Sequence, residues 1–331
     1  MADADFAGGG IAWPGWLGTA GRPAGRPDAR RSLQLALAGI WLLDAVLQFQ
    51  SFMYTQAFPQ TLAATASGNP AVIARPVTWD AALMSHHLLV LNTMFASIQV
   101  LLGIGIVFRP AVKAALAASV AWSLGVWWLG EGLGGVLSGT ASPVSGAPGA
   151  VLLYALLAVL LWPASPGRPA SFAAARAVGV PVARGLWLAL WLALEWFALT
   201  PANRAPQAMA QMIAGIADGE PRWLAGLDRA AASLVVGHGL AASITLAAAL
   251  VLIAGGIWLP RPAARAVLVL AIAVAAVIWT VGEGLGGIFT GSATDPNSGP
   301  LLALLALAYW PARTASATAG QRPCLRSRLS G

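Results

Sequence analysis

Eight apolar runs, separated by shorter loops and, before the second and sixth, by loops of about thirty residues, constrain this chain more than any other feature. They lie near residues 32–52, 84–108, 114–134, 147–162, 185–200, 234–259, 266–289 and 300–310. A helix that crosses a bilayer needs roughly 20 mostly apolar residues, and most of these runs approach that length. The chain is 58% hydrophobic and only 9% charged, against about 25% charged residues in soluble domains. So few charges cannot cover a globule with polar surface. The expectation is an all-α membrane protein of about eight transmembrane helices, with the lipid bilayer as its main partner.

The basic residues set the expected sidedness. With eight spans, fifteen of the nineteen Lys and Arg residues fall on one side, and only Arg75, Arg204, Arg222 and Arg229 on the other. Cytoplasmic loops are enriched in Lys and Arg, so both termini are expected in the cytoplasm and the protein in the cell membrane. The formal charge of +7 does not indicate nucleic acid, because no basic face carries interleaved aromatics. Nothing in the sequence names a protein partner.

The chain divides into a cytoplasmic leader (1–31) expected to be disordered, a four-helix unit (32–163), a cytoplasmic linker (164–184), a second four-helix unit (185–312) and a cytoplasmic tail (313–331). The leader has no early apolar core and does not read as a cleaved signal peptide. Cys324 is the only cysteine, which excludes disulfides within the chain and Cys-based metal sites.

The two units read as copies of each other. A shift of 152 residues carries His86 onto His238, Trp127 onto Trp279 and Pro148 onto Pro300. It also carries Gly130-Glu131-Gly132-Leu133-Gly134-Gly135 onto Gly282-Glu283-Gly284-Leu285-Gly286-Gly287. A shift of 151 carries Asp44 onto Glu195 and Gly68-Asn69-Pro70 onto Gly219-Glu220-Pro221. Each copy has an even number of spans, so the copies insert in the same orientation. The expected arrangement is two parallel repeats about a pseudo-two-fold axis along the membrane normal.

Ionisable residues inside apolar runs are few: Asp44, His86, His87 and Glu131 in the first unit, and Glu195, His238 and Glu283 in the second. A carboxylate at mid-membrane costs roughly 2.5–3.5 kcal/mol on insertion scales, so such residues mark function by default. Each copy offers an acid, a His and a Glu at similar depth in the outer half of the membrane. Converging, they would bind an ion, a proton or a substrate. They would equally form a buried hydrogen-bond network that fixes helix packing. A divalent metal at His86 or His238, or one haem bridging the two histidines, is a third reading.

Gly130, Gly134 and Gly135, with Gly282, Gly286 and Gly287, have the small-residue spacing of close helix packing. The Gly-, Ser-, Thr- and Pro-rich stretches that follow, and the short apolar runs after those, also fit broken helices that line a binding site. Short apolar stretches at 58–66 and 208–216 are candidate interfacial helices. Met53, Met84, Met94, Met209 and Met212 lack the regular spacing of a copper-binding motif and are expected to pack. No zinc-protease, nucleophile-elbow or phosphate-loop motif occurs, which argues against an enzyme.

The Trp41-Leu-Leu-Asp44 stretch, the Gly68-Asn69-Pro70 loop and the Asp295-Pro-Asn-Ser-Gly-Pro300 segment resemble uncharacterised actinobacterial-type polytopic integral membrane proteins. That resemblance covers most of the chain. It implies eight spans and no particular activity. Three function classes remain: a carrier of a small ion or solute with the acid–His–Glu clusters as its sites, a haem- or metal-binding redox protein, and a non-catalytic assembly subunit.

Overall fold

The computed structural model describes residues 28–163 and 171–312. Most of the expected leader, part of the linker and the expected tail with Cys324 lie outside them. Among the described residues there is no strand. The helices are α1 (Ala29–Leu47), α2 (Ala57–Ala64), α3 (Ala71–His86), α4 (Leu88–Val107), α5 (Val112–Leu129), α6 (Ala150–Leu160), α7 (Ala175–Val178) and α8 (Val180–Ala198), followed by α9 (Pro201–Arg204), α10 (Ala208–Ile216), α11 (Arg222–Val235), α12 (Gly239–Gly256), α13 (Arg261–Val277) and α14 (Ser298–Ala308).

Five helical stretches are long and apolar enough to cross a membrane: Leu88–Val107, Arg109–Leu129, Val180–Ala198, Gly239–Gly256 and Arg261–Gly282. No more than 39% of any of these windows is buried inside the protein. The apolar remainder needs lipid, which marks a multi-pass integral membrane protein. Helix α1 matches them in length but carries Arg30, Arg31, Gln34 and Asp44. Its buried stripe of Leu33, Leu37, Trp41 and Ala45 packs inward at every fourth position.

The runs at 147–162 and 300–310 do not form full-length helices. Each is an 11-residue helix, α6 and α14, and a rise of about 1.5 Å per residue makes each about 16 Å long. That is half of a hydrocarbon core about 30 Å thick. Eight residues of each are buried, because these two half-length helices form the centre of the molecule. Helix α6 packs on α5 and α14, and α14 packs on α13, α6 and α1. The long helices surround them. Trp41 lies over Tyr154 of α6, with ring centroids 4.3 Å apart, and Trp187 over Tyr309 just after α14, at 4.6 Å. Burial of this kind lets a short helix with irregular flanking backbone persist in a membrane protein, since its open polar groups find protein partners rather than lipid.

The expected spans at 84–108 and 234–259 start later than the sequence reading placed them. The chain breaks at His87 between α3 and α4, and at Val236–His238 between α11 and α12. The stretches 58–66 and 208–216 do contain short helices, α2 and α10. The longer amphipathic helices α3 and α11 beside them were not anticipated.

The described chain ends meet at one end of the bundle. Arg176 pairs with Asp28 at 2.9 Å, and Ala312 N donates to Ser171 O at 2.7 Å. Arg31 caps the last carbonyls of α4, donating to Ile106 O at 2.8 Å and to Val107 O. The Gly-Glu-Gly-Leu-Gly-Gly segments lie toward the opposite end.

Candidate functional site

Both glycine-rich segments interrupt a long helix and turn the chain back toward a half-length one. Four successive residues take left-handed backbone in each: Gly132, Leu133, Gly134 and Gly135 at φ 55°, 59°, 61° and 73°, and Gly284, Leu285, Gly286 and Gly287 at 53°, 55°, 71° and 64°. The central glycines also permit close contact. A Cβ on Gly134 would sit 2.1 Å from Pro148 O, and one on Gly286 would sit 2.5 Å from Pro296 O. Gly134, Gly135, Gly286 and Gly287 therefore shape a turn rather than a helix–helix face. Gly282 makes a different close approach, since its Cβ would meet Val144 O at 2.2 Å.

The glutamate of each segment reaches the first turn of the half-length helix that follows. Glu283 accepts from Gly299 N at 3.0 Å through Oε2 and from the Ser298 hydroxyl through Oε1. Glu131 Oε1 accepts from Val151 N at 3.5 Å. A carboxylate satisfies unpaired N–H groups there and complements the positive end of the helix dipole. Trp127 and Trp279 donate to Pro148 O and Pro296 O, at 2.6 and 2.8 Å. Pro148 is thus matched by Pro296 and not by Pro300, as the 152-residue shift implied. Helix α6 starts 15 residues after Gly135 and α14 starts 11 after Gly287, so the second loop is four residues shorter.

Two adjacent cavities lie at these turns. The larger, about 780 Å³ and open, is lined by both segments, including Glu131 and Glu283, and by the hydroxyls of Ser138, Thr140, Thr290 and Ser292. The smaller, about 310 Å³, lies among Trp41, Phe95 and Trp122 and is lined by the carboxyls of Asp44, Asp80, Glu131 and Asp295 and the amides of Gln48 and Gln99. Phe58, Leu62, Gly130, Glu131, Thr294 and Asp295 line both and partition them. No Lys, Arg or His lines either cavity.

Asp44 is 2% exposed. Its Oδ2 accepts from the Tyr154 hydroxyl at 2.5 Å, while Oδ1 has no protein partner. Asp295 comes from the loop before α14, in the second unit, yet it lines the inner cavity beside Asp44 of the first. Its oxygens accept from Asn297 N at 2.7 Å and Thr294 Oγ1 at 2.8 Å. It lies close enough to Asp44, Glu131 and Glu283 to interact electrostatically with each.

The acid–His–Glu trios expected from the sequence do not assemble. His86 and His238 are exposed at the two helix breaks, and His238 Nδ1 bonds Val236 O at 2.8 Å. Glu195 is half-buried on α8. None of the three lines either cavity. The physical reason is the breaks: a His at a corner projects away from the bundle, whereas a His within a span would face it. Among the described residues no three His, Cys, Asp or Glu side chains are grouped to hold one metal ion, and neither His86 nor His238 lines either cavity. The structure instead places Asp44, Asp80, Glu131 and Asp295 around the inner cavity and Glu131, Asp295 and Glu283 around the outer one. Asp295 stood in the sequence as an acid just before a short apolar run, the only signal that could have singled it out.

A second carboxyl pair also escaped the sequence reading. Glu220 interacts with Asp228 of α11, which is fully buried. Glu220 also lies under the second turn, where a Cβ on Gly284 would collide with its Oε1. Desolvation, with the Asp228 carboxyl beside it, pushes Glu220 up to about 8. At the matching positions of the first unit stand Asn69 and Val77, and Asn69 donates to Thr65 O at 2.9 Å.

No protein-family model, no curated protein and no solved structure matches this chain.

Proposed function

We propose that the protein is a membrane carrier that moves a proton or a small cation through the two carboxyl-lined cavities. One observation carries this reading. Asp44, Glu131, Asp295 and Glu283 line two adjacent cavities in which no basic side chain is present to neutralise them. Ionisable groups are rarely kept in apolar surroundings without a task. Half-length helices whose termini meet at the site are a recurring device of secondary transporters. Here the helix N-termini are already occupied by Glu131 and Glu283, which favours a positively charged cargo over an anion.

In this reading the chain crosses the plasma membrane eight times, counting α1 and the two half-length helices with their irregular flanks. The two units are tandem copies about an axis along the membrane normal, and matching turn geometry and matching Trp-to-Pro bonds support that. The basic end lies in the cytoplasm, so the cavities open outward. Between Asp44 and the basic end, Leu37, Ala38 and Trp41 are buried almost completely. That plug must part in a second conformation for cargo to pass.

The test is proton or cation flux in proteoliposomes. Glu131→Gln together with Glu283→Gln preserves acceptor oxygens for the helix caps but removes both charges, and flux should be lost. Flux equal to that of the unaltered protein would count against the proposal.

A further inference from the structure

We propose that the inner cavity binds a protonated organic amine, with a primary ammonium head and an apolar body about the size of one ring. The inference deepens the carrier reading by naming its cargo, and it rests on that reading only for the direction of movement. Binding itself is separable.

Unpaired acceptors carry the inference. Asp44 Oδ1, Glu131 Oε2 and Gln99 Oε1 are buried and lack a hydrogen-bond partner. All three belong to residues lining the inner cavity. Buried polar atoms are nearly always paired, and leaving one unpaired is costly. An anion has no donor to give them. An alcohol has one. A primary ammonium has N–H donors for unpaired acceptors such as Asp44 Oδ1 and a positive charge to offset the carboxyls around it.

The walls supply the second half of the fit. Trp41, Phe95 and Trp122 line the same space, and Phe95 meets Trp122 edge to face at 5.2 Å. Aromatic faces attract cations and accept an apolar body. A small inorganic cation would leave these walls unused, whereas an aryl- or alkylammonium uses both. The volume of about 310 Å³ falls at the lower end of small-molecule pockets, which span about 300–1,000 Å³.

The probe is phenethylammonium chloride, titrated calorimetrically into the full-length protein in detergent. Phenethyl alcohol, with the same ring and chain but no charge, is the comparison. Saturable binding of the ammonium and none of the alcohol is expected. Asp44→Asn keeps an acceptor for Tyr154 while removing the charge, and should weaken binding roughly ten-fold or more. Trp122→Leu, which leaves both partners of the Asp44–Tyr154 bond in place, should weaken it also and guards against a folding defect in the first variant. No saturable binding to the unaltered protein, equal binding of the alcohol, or unchanged affinity in both variants would overturn the proposal. Amine binding without amine or proton movement in vesicles would overturn the carrier reading and leave this one intact. Flux without amine binding would do the reverse.

Discussion

The Tyr154 hydroxyl donates to Asp44 Oδ2 at 2.5 Å, joining the half-length helix α6 to α1 across the centre of the molecule. Trp41, one turn before Asp44, covers the tyrosine ring at 4.3 Å. The acid that lines the inner cavity is therefore held by the helix whose flanking turn shapes the cavity mouth.

Removing that hydroxyl should be felt. Tyr154→Phe leaves Asp44 with both oxygens unpaired in a buried site, and a cost of about 1–3 kcal/mol is expected. Thermal unfolding of the purified variant measures it. Adding Asp44→Leu should recover part of the loss, because the stranded acceptor disappears. If Tyr154→Phe melts with the unaltered protein, the bond contributes nothing to the fold.

Glu283 offers a second test, on the helix cap. Glu283→Gln retains an acceptor for Gly299 N, whereas Glu283→Ala strips Gly299 N of its acceptor and leaves Asn297, which accepts from Ser298 N at 2.8 Å, as the remaining cap of α14. Loss of a cap costs about 1 kcal/mol, so the alanine variant should melt lower than the glutamine variant. Equal melting temperatures would mean that the contacts at 3.0 Å and to Ser298 do not stabilise α14.

The Glu220–Asp228 pair predicts a pH dependence. Glu220 is pushed up to about 8 in the folded protein, against about 4.3 for an unfolded glutamate. Between these values the folded state holds a proton that the unfolded state has released, so stability falls as pH rises. The contribution is whole below the unfolded value and gone once pH has passed about 8. Unfolding followed from pH 5 to pH 9 should show this decline, and Glu220→Gln should flatten it. An identical slope in the variant would remove the pair from the account.

Much of this architecture was legible in the sequence, and what was not has physical causes. Apolar runs and basic loops indicate a multi-pass membrane protein because hydropathy reports solvent directly. The repeated glutamates pointed to a site, since an acid in an apolar run is costly wherever the chain folds. The histidines misled because periodicity does not reveal that the helix breaks beside His86 and His238, which turns both to the surface. Asp295 was missed because a loop acid is ordinary in sequence. Only the fold shows that this loop enters the space beside Asp44. The short second loop was hidden as well, since Pro300 matched Pro148 in sequence while Pro296 took its place in space.

Asp295 lines both cavities and neighbours the other three carboxyls, so it tests the central claim most directly. The measurement is phenethylammonium uptake together with proton flux in proteoliposomes holding either the unaltered protein or Asp295→Asn, which keeps an acceptor for Asn297 N. The account predicts flux through the unaltered protein and, for the variant, flux no greater than in protein-free vesicles, with melting temperature little changed. Full flux through Asp295→Asn, or none through the unaltered protein, would contradict it.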